Sequence, residues 1–287
     1  MVKLGKLNKL KVKHLLTMGA TLDGGVLGDI LLPRRHMPDS IQEGSVIEVF
    51  VYLDTDDLPI ATTETPKVMV GECAYLKVVD VNKVGAFMDW GLPKDLLLPF
   101  AEQPKPLRPG MFKVVYAYID KASKRISASA RLDKHLHEEN NLGEGTEIEG
   151  GFFKPGDEVE ALFCGRSDLG YKAVLNNTHL GLLHHSDAFQ NIMIGLAKKA
   201  YVKSISPEGK INLTLHIPNK EQLGELAEKI LADLQTGSGV SFLTDKSSPD
   251  DIKQKWRVSK GSYKKAIGAL YKQKKIEILK DKIRLVE

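Results

Sequence analysis

The sequence predicts a mainly β, multidomain protein: three small barrels of short strands in tandem, followed by a C-terminal α+β domain. Three observations predict it. Landmark residues recur at fixed offsets, the stretches between them alternate apolar and polar residues at period two, and the last 70 residues change to three- and four-residue spacing.

The repeat is clearest around Val84 to Phe100, VGAFMDWGLPKDLLLPF. Moving back 66 residues places Gly85-Ala86 on Gly19-Ala20, Leu97-Leu98-Pro99 on Leu31-Leu32-Pro33, Asp89 on Asp23 and Gly110 on Gly44. GSVIEVFVYLD (Gly44 to Asp54) likewise parallels GMFKVVYAYID (Gly110 to Asp120). Moving forward 85 residues, Gly85 lands on Gly170, Leu97-Leu98 on Leu182-Leu183, Pro99 on His184 and Gly110 on Gly195. A chain of 287 residues therefore divides into several modules, each burying a modest core. Hydrophobic residues make up 42%, enough for folding. No apolar run has the length of a membrane span or an export signal, and MVKLGKLNKLKVKHLL alternates as a first strand does. Cys73 and Cys164 are too few for a disulfide framework and suit reduced core positions in a cytoplasmic protein. A net charge of +4 carries little information until it is located.

The first module covers 1–65, with strands expected at Lys9–Leu16, Ala20–Leu22, Val26–Leu32, Ser45–Leu53 and Leu58–Thr62 and a hairpin turn at Asp23-Gly24-Gly25. The second covers 66–135, with strands near Glu72–Asp80, Gly85–Trp90, Lys94–Pro99, Lys113–Ile119 and Arg125–Ala130. Five short strands in this length fit a Greek-key barrel of the oligonucleotide-binding (OB) type. Within it, Ala86, Met88 and Trp90 point one way and Phe87 and Asp89 the other. Phe87 shares a face with a solvated carboxylate, so its ring is either a base-stacking platform or covered by a neighbouring loop; the repeat favours the platform. Thr21 stands at the equivalent place in the first module, which has lost the aromatic.

Gly-Ala-Phe-Met-Asp, the Leu-Leu-Pro run and Asp120…Lys124-Arg125-Ile126-Ser127 resemble the RNA-binding domain of ribosomal protein S-one. That resemblance implies an RNA site formed by the aromatic of the Gly-Ala-Phe segment, a histidine ending the third strand, and an Asp and an Arg near the last hairpin. Here these positions are Phe87, Pro99, Asp120 and Arg125, with Pro99 departing from the pattern.

Residues 136–153 are polar, acidic and glycine-rich and read as a linker; His135 and His137 lack metal-ligand spacing. The third module, 154–217, keeps Gly181-Leu182-Leu183-His184, similar to the Gly-Leu-Ile-His segment of the S-one family. His184 is therefore a candidate RNA contact or a satisfied surface histidine. Lys172 replaces Phe87 and would attract phosphate; Tyr171 stacks a base if the strand is bulged by one, and otherwise is core.

In 218–287, Leu223, Leu226, Ala227, Ile230, Leu231 and Leu234 mark an amphipathic helix. Ser248-Pro249-Asp250-Asp251 starts a second helix, and Ser259 caps a third through Tyr263, Ile267 and Leu270. Ile276–Leu279 and Ile283–Val286 form a terminal hairpin, completing a winged helix-turn-helix. Positions 251–275 hold nine Lys or Arg against one acid, Asp251. Lys260, Lys264, Lys265, Lys272 and Lys275 fall largely off the apolar stripe and offer a phosphate-binding face.

The order of three S-one-like OB barrels and a winged helix resembles the bacterial conserved virulence factor B family. That resemblance implies cytoplasmic RNA-binding regulators of gene expression. The expectation is a monomeric, non-catalytic protein with no cofactor, metal or membrane contact. Its ligand is single-stranded RNA, and the third barrel and winged helix, joined by His216–Lys220, form the main surface. The rival readings are a DNA-binding transcription regulator and a protein-docking scaffold on the ribosome or a nuclease. The third helix carries little Asn, Gln or Arg for base readout, which weakens the DNA reading.

Overall fold

The computed structural model describes residues 1–140, 152–188, 191–215 and 220–286, the side chains of 220–223 excepted. Most of the expected linker, the joining segment after His216 and the Leu223 side chain lie outside the described residues. By their contacts, the residues fall into two units, Met1–Glu138 with Val174–Leu180, and Glu139–Ala173 with Gly181–Glu287.

Three closed five-stranded barrels and a three-stranded sheet account for the strands. The first barrel comprises β1 (Leu7–Leu16), β2 (Gly19–Asp23), β3 (Asp29–Pro33), β4 (Val46–Leu53) and β5 (Pro59–Thr62). The second comprises β6 (Cys73–Val81), β7 (Gly85–Asp89), β8 (Leu96–Pro99), β9 (Phe112–Ile119) and β10 (Ile126–Ser129). The third comprises β11 (Glu158–Arg166), β12 (Gly170–Leu175), β13 (His179–His184), β14 (Ala197–Ile205) and β15 (Ile211–Thr214). In each barrel the third and fifth strands close the cylinder. They run parallel, as at Leu31 opposite Ile60 and Ser127 opposite Leu97.

The repeated landmarks are backbone requirements. A Cβ on Gly19, Gly85 or Gly170 would lie 2.1, 2.4 or 2.1 Å from the carbonyl oxygen of Leu32, Leu98 or Leu183. Strands two and three approach so closely there that only hydrogen fits. The second set, Gly44, Gly110 and Gly195, has φ of 84°, 85° and 89°. Each donates its N–H to the first strand, to Val12, Val78 or Phe163 oxygen at 2.9, 2.8 and 2.7 Å. A left-handed residue lets the chain turn into strand four while making that bond.

The strand expected from Val26 begins instead at Asp29. Gly25–Leu27 is a 3₁₀ turn, because Asp23 Oδ1 accepts from Gly25 N–H and Gly24 donates to Gly28 oxygen, closing a longer loop that leaves Val26 exposed.

The C-terminal domain has α1 (Lys220–Thr236), β16 (Val240–Ser241), α2 (Pro249–Trp256), α3 (Lys260–Lys272), β17 (Ile276–Ile278) and β18 (Ile283–Leu285). Leu226, Ile230 and Leu234 of α1 bury against Ile252, Tyr263 and Ile267. Ser248 and Ser259 accept the N–H of Asp251 and Ser262, capping α2 and α3 as the sequence predicts. The terminal hairpin gains a strand the sequence did not predict, since Val240 pairs with Arg284.

Gly85→Ala is expected to lower the stability of its unit by about 2 kcal/mol in urea unfolding, because the backbone must part to admit a methyl group. Gly110→Ala, limited by its φ rather than by space, should cost about 1 kcal/mol.

His179 is buried, with its ring centroid 5.1 Å from that of His137 and its Nδ1 2.9 Å from Thr178 Oγ1. Burial, reinforced by His137, pushes its pKa down from 6.5 to about 4. The unfolded chain then binds the extra proton first, so stability is full above the unfolded pKa and is lost as pH falls towards 4. We expect about 2 kcal/mol less stability at pH 5 than at pH 7 by denaturant titration. His179→Gln should flatten that dependence.

Candidate nucleic-acid interface

β7 sets the candidate surface of the second barrel. Ala86 and Met88 are fully buried, while Phe87 lies half-buried on the other side of the strand, paired with Leu97 of β8 and Asp80 of β6. Trp90 is core, as its parity predicts; its Nε1–H donates to Lys94 oxygen at 2.5 Å. Phe50 and Tyr52 of β4 meet the Trp90 ring edge-on at 5.7 and 6.5 Å, so the second barrel's core extends into the first. Phe87 is half-buried. It forms one wall of a cleft of about 600 Å³, facing Tyr52 and Leu53 of the first barrel and Lys94, Asp95 and Arg125 of the second.

Arg125 is engaged within that cleft. Its Nε and Nη2 donate to Asp57 Oδ1 and Oδ2 at 2.6 and 2.8 Å. The guanidinium holds the Asp57 carboxyl below the usual carboxylate range. Lys94 Nζ donates to Asp54 oxygen at 2.8 Å, and burial lowers its pKa. Asp120, expected in the RNA site by resemblance, instead builds the β9–β10 turn: Oδ2 accepts from Ser123 N–H and Oγ–H, both at 2.7 Å. Those bonds lower its pKa, and it does not line the cleft. Its role is to fix the turn that presents Arg125, whose oxygen accepts from Asp120 N–H at 2.9 Å.

In the third barrel Tyr171 takes the core alternative. It is buried edge-on to Phe163, with its ring centroid 5.1 Å from the Arg166 guanidinium carbon, and so is no base platform. Lys172 is exposed beside it. His184 is half-buried, and its Nε2 lies 2.8 Å from Asn212 Oδ1, which fixes the ring on the barrel surface.

On α3, Lys264, Lys265 and Lys272 are exposed, as is Lys275 just beyond it; Lys260 is half-buried. Among the described residues none of these five has an ion-pair partner, whereas Lys255 of α2 is paired with Asp233 at 2.7 Å. A second cleft, of about 530 Å³, lies between the third barrel and the start of α3, lined by Tyr201, Lys203, Ser259, Lys260 and Lys265. Lys203 is offset there by the buried Asp187 carboxylate at 2.7 and 2.9 Å, leaving the α3 lysines as the uncompensated charge.

Residues 228–285 match the CvfB-like winged helix domain model, and residues 4–64 match the S1 domain model. Conserved virulence factor B of Staphylococcus epidermidis is 27% identical, over 87% of this chain and 83% of its own length. The resemblance to the conserved virulence factor B family holds over most of the chain. The Staphylococcus aureus USA300 member is also 27% identical, over 87% of this chain and 82% of its own length. YitL of Bacillus subtilis is 25% identical over 93% and 88%. A solved multidomain protein with nucleic acid binding domains from Streptococcus pneumoniae is 24% identical, covers 99% of this chain and 98% of its own, and gives a TM-score of 0.41.

The structure thus brings Phe87 and Arg125 to one cleft and Lys260 and Lys265 to another. The sequence reading missed Asp57, Lys94 and Tyr52. One available signal was the parallel between Asp54 and Asp120: Asp54 Oδ1 accepts from Asp56 and Leu58 N–H, so both residues build the same hairpin turn.

Proposed function

We propose that this is a non-catalytic RNA-binding protein that takes single-stranded RNA in the cytoplasm and regulates gene expression through it, acting as a monomer. The observation carrying this reading is the set of unpaired lysines on α3, two of which open onto the cleft shared with the third barrel. Unpaired surface cations release counterions on meeting phosphate, a gain that a neutralised surface cannot make. The Phe87 wall and the S1 domain match support the same reading, since barrels of this type take unpaired bases by stacking. Arg125, Lys172 and His184 supply further contacts in it. No helix among the described residues is long and apolar enough to cross a membrane.

Phe87→Ala is expected to weaken binding of a labelled single-stranded RNA by about 1–3 kcal/mol, the worth of one stacked base. Lys264→Glu with Lys265→Glu should weaken it at low salt and reduce the slope of log K against log salt by about 1 per lysine. Unlabelled duplex DNA outcompeting unlabelled single-stranded RNA at equal salt would overturn the RNA reading.

A further inference from the structure

The second barrel's cleft contains a feature that ligand binding alone does not explain. The turn Asp54-Thr55-Asp56-Asp57 of the first barrel faces the cations that a phosphate backbone would need. Asp54 is spent on the turn itself, through its bonds to Asp56 and Leu58 N–H. Asp57 follows in the left-handed region at φ 62°, a conformation an aspartate tolerates but few side chains favour. Its two oxygens fill the Arg125 fork, and the turn's own carbonyl holds Lys94.

A carboxylate and a phosphate offer a guanidinium the same two-oxygen geometry, so one can stand in for the other. The Arg125 and Asp57 side chains are 44% and 52% exposed. Surface pairs of that kind contribute little and exchange readily. The apolar wall beside them is formed by Phe87 with Tyr52 and Leu53, in the same cleft as Arg125.

We propose that Asp57 is a built-in phosphate mimic: it occupies the second barrel's phosphate place, and RNA enters by exchanging that carboxylate for a backbone phosphate on Arg125. This rests on the RNA reading above and adds regulation of its site by the neighbouring barrel. Because the fork is already neutralised, this cleft adds little to counterion release. Affinity there is set by competition with Asp57.

The test titrates a labelled oligouridine of about 12 nucleotides into the full chain and its variants over a range of salt. Asp57→Asn should tighten binding by about two- to fivefold and steepen the salt slope by about 0.7, since one more cation becomes free to release its counterion. Arg125→Ala should abolish the gain, so that the double variant binds like Arg125→Ala alone. Asp57→Gly, which takes the left-handed backbone without strain, repeats the first arm should Asn distort the turn, and an unchanged circular dichroism spectrum checks folding. Weaker binding by Asp57→Asn would mean that the carboxylate positions Arg125 for RNA and would overturn the proposal. So would unchanged affinity and slope. Binding by neither wild type nor variant would remove the RNA reading itself, and the exchange with it.

Discussion

Closing five short strands into a cylinder forces the second strand against the third, and this close approach is the constraint on which the rest of each barrel depends. At Gly19, Gly85 and Gly170 the carbonyl of the facing leucine stands where a Cβ would be. With that contact fixed, strand parity is fixed too: Ala86 and Met88 must turn inward and Phe87 outward, because a slip of one residue would exchange the faces. The inward side is thereby committed to packing. The outward side is left open to change, and Thr21, Phe87 and Lys172 occupy it in the three copies.

The outward side is where electrostatics decides what a barrel offers. In the second barrel Arg125 and Lys94 both meet the first barrel's acidic turn, and in the third Lys203 meets Asp187. The α3 lysines, by contrast, have no ion-pair partner among the described residues. The fold therefore separates two kinds of surface. One is apolar-walled with its charge offset; the other is cationic, with no offsetting carboxylate among the described residues. The first suits discrimination of bases by stacking, the second affinity for any phosphate backbone.

Much of this was legible in the sequence because the responsible constraints are local. A close approach demands glycine at one position per copy, a left-handed turn demands it at another, and Ser248-Pro249 announces a helix start. Trp90 followed from parity alone. Where local rules were ambiguous, the expectation erred: glycines around Val26 were compatible with a tight hairpin, but bonds from Asp23 and Gly24 closed a wider loop. Asp120 was assigned by resemblance to an RNA site, although its counterpart Asp54 shows the same residue serving turn geometry. The pairing of Arg125 with Asp57 was not legible at all. The two residues are 68 positions apart and belong to different copies of the repeat, and no periodicity describes how one copy meets the next.

That last pair also explains why net charge was so weak a guide. A value of +4 sums cations already matched by a neighbour with cations that are not, and only the second kind draws a polyanion from solution. Arg125, Lys94 and Lys203 belong to the first kind despite lying on candidate binding surfaces. A change that freed one of them would raise the attractive charge, whereas loss of an α3 lysine would lower it directly. On the reading proposed above, affinity for nucleic acid depends less on how many basic residues the chain carries than on which of them an acidic neighbour already offsets. That neighbour lies in the same barrel, as Asp187 does for Lys203, or in the preceding one, as Asp57 does for Arg125.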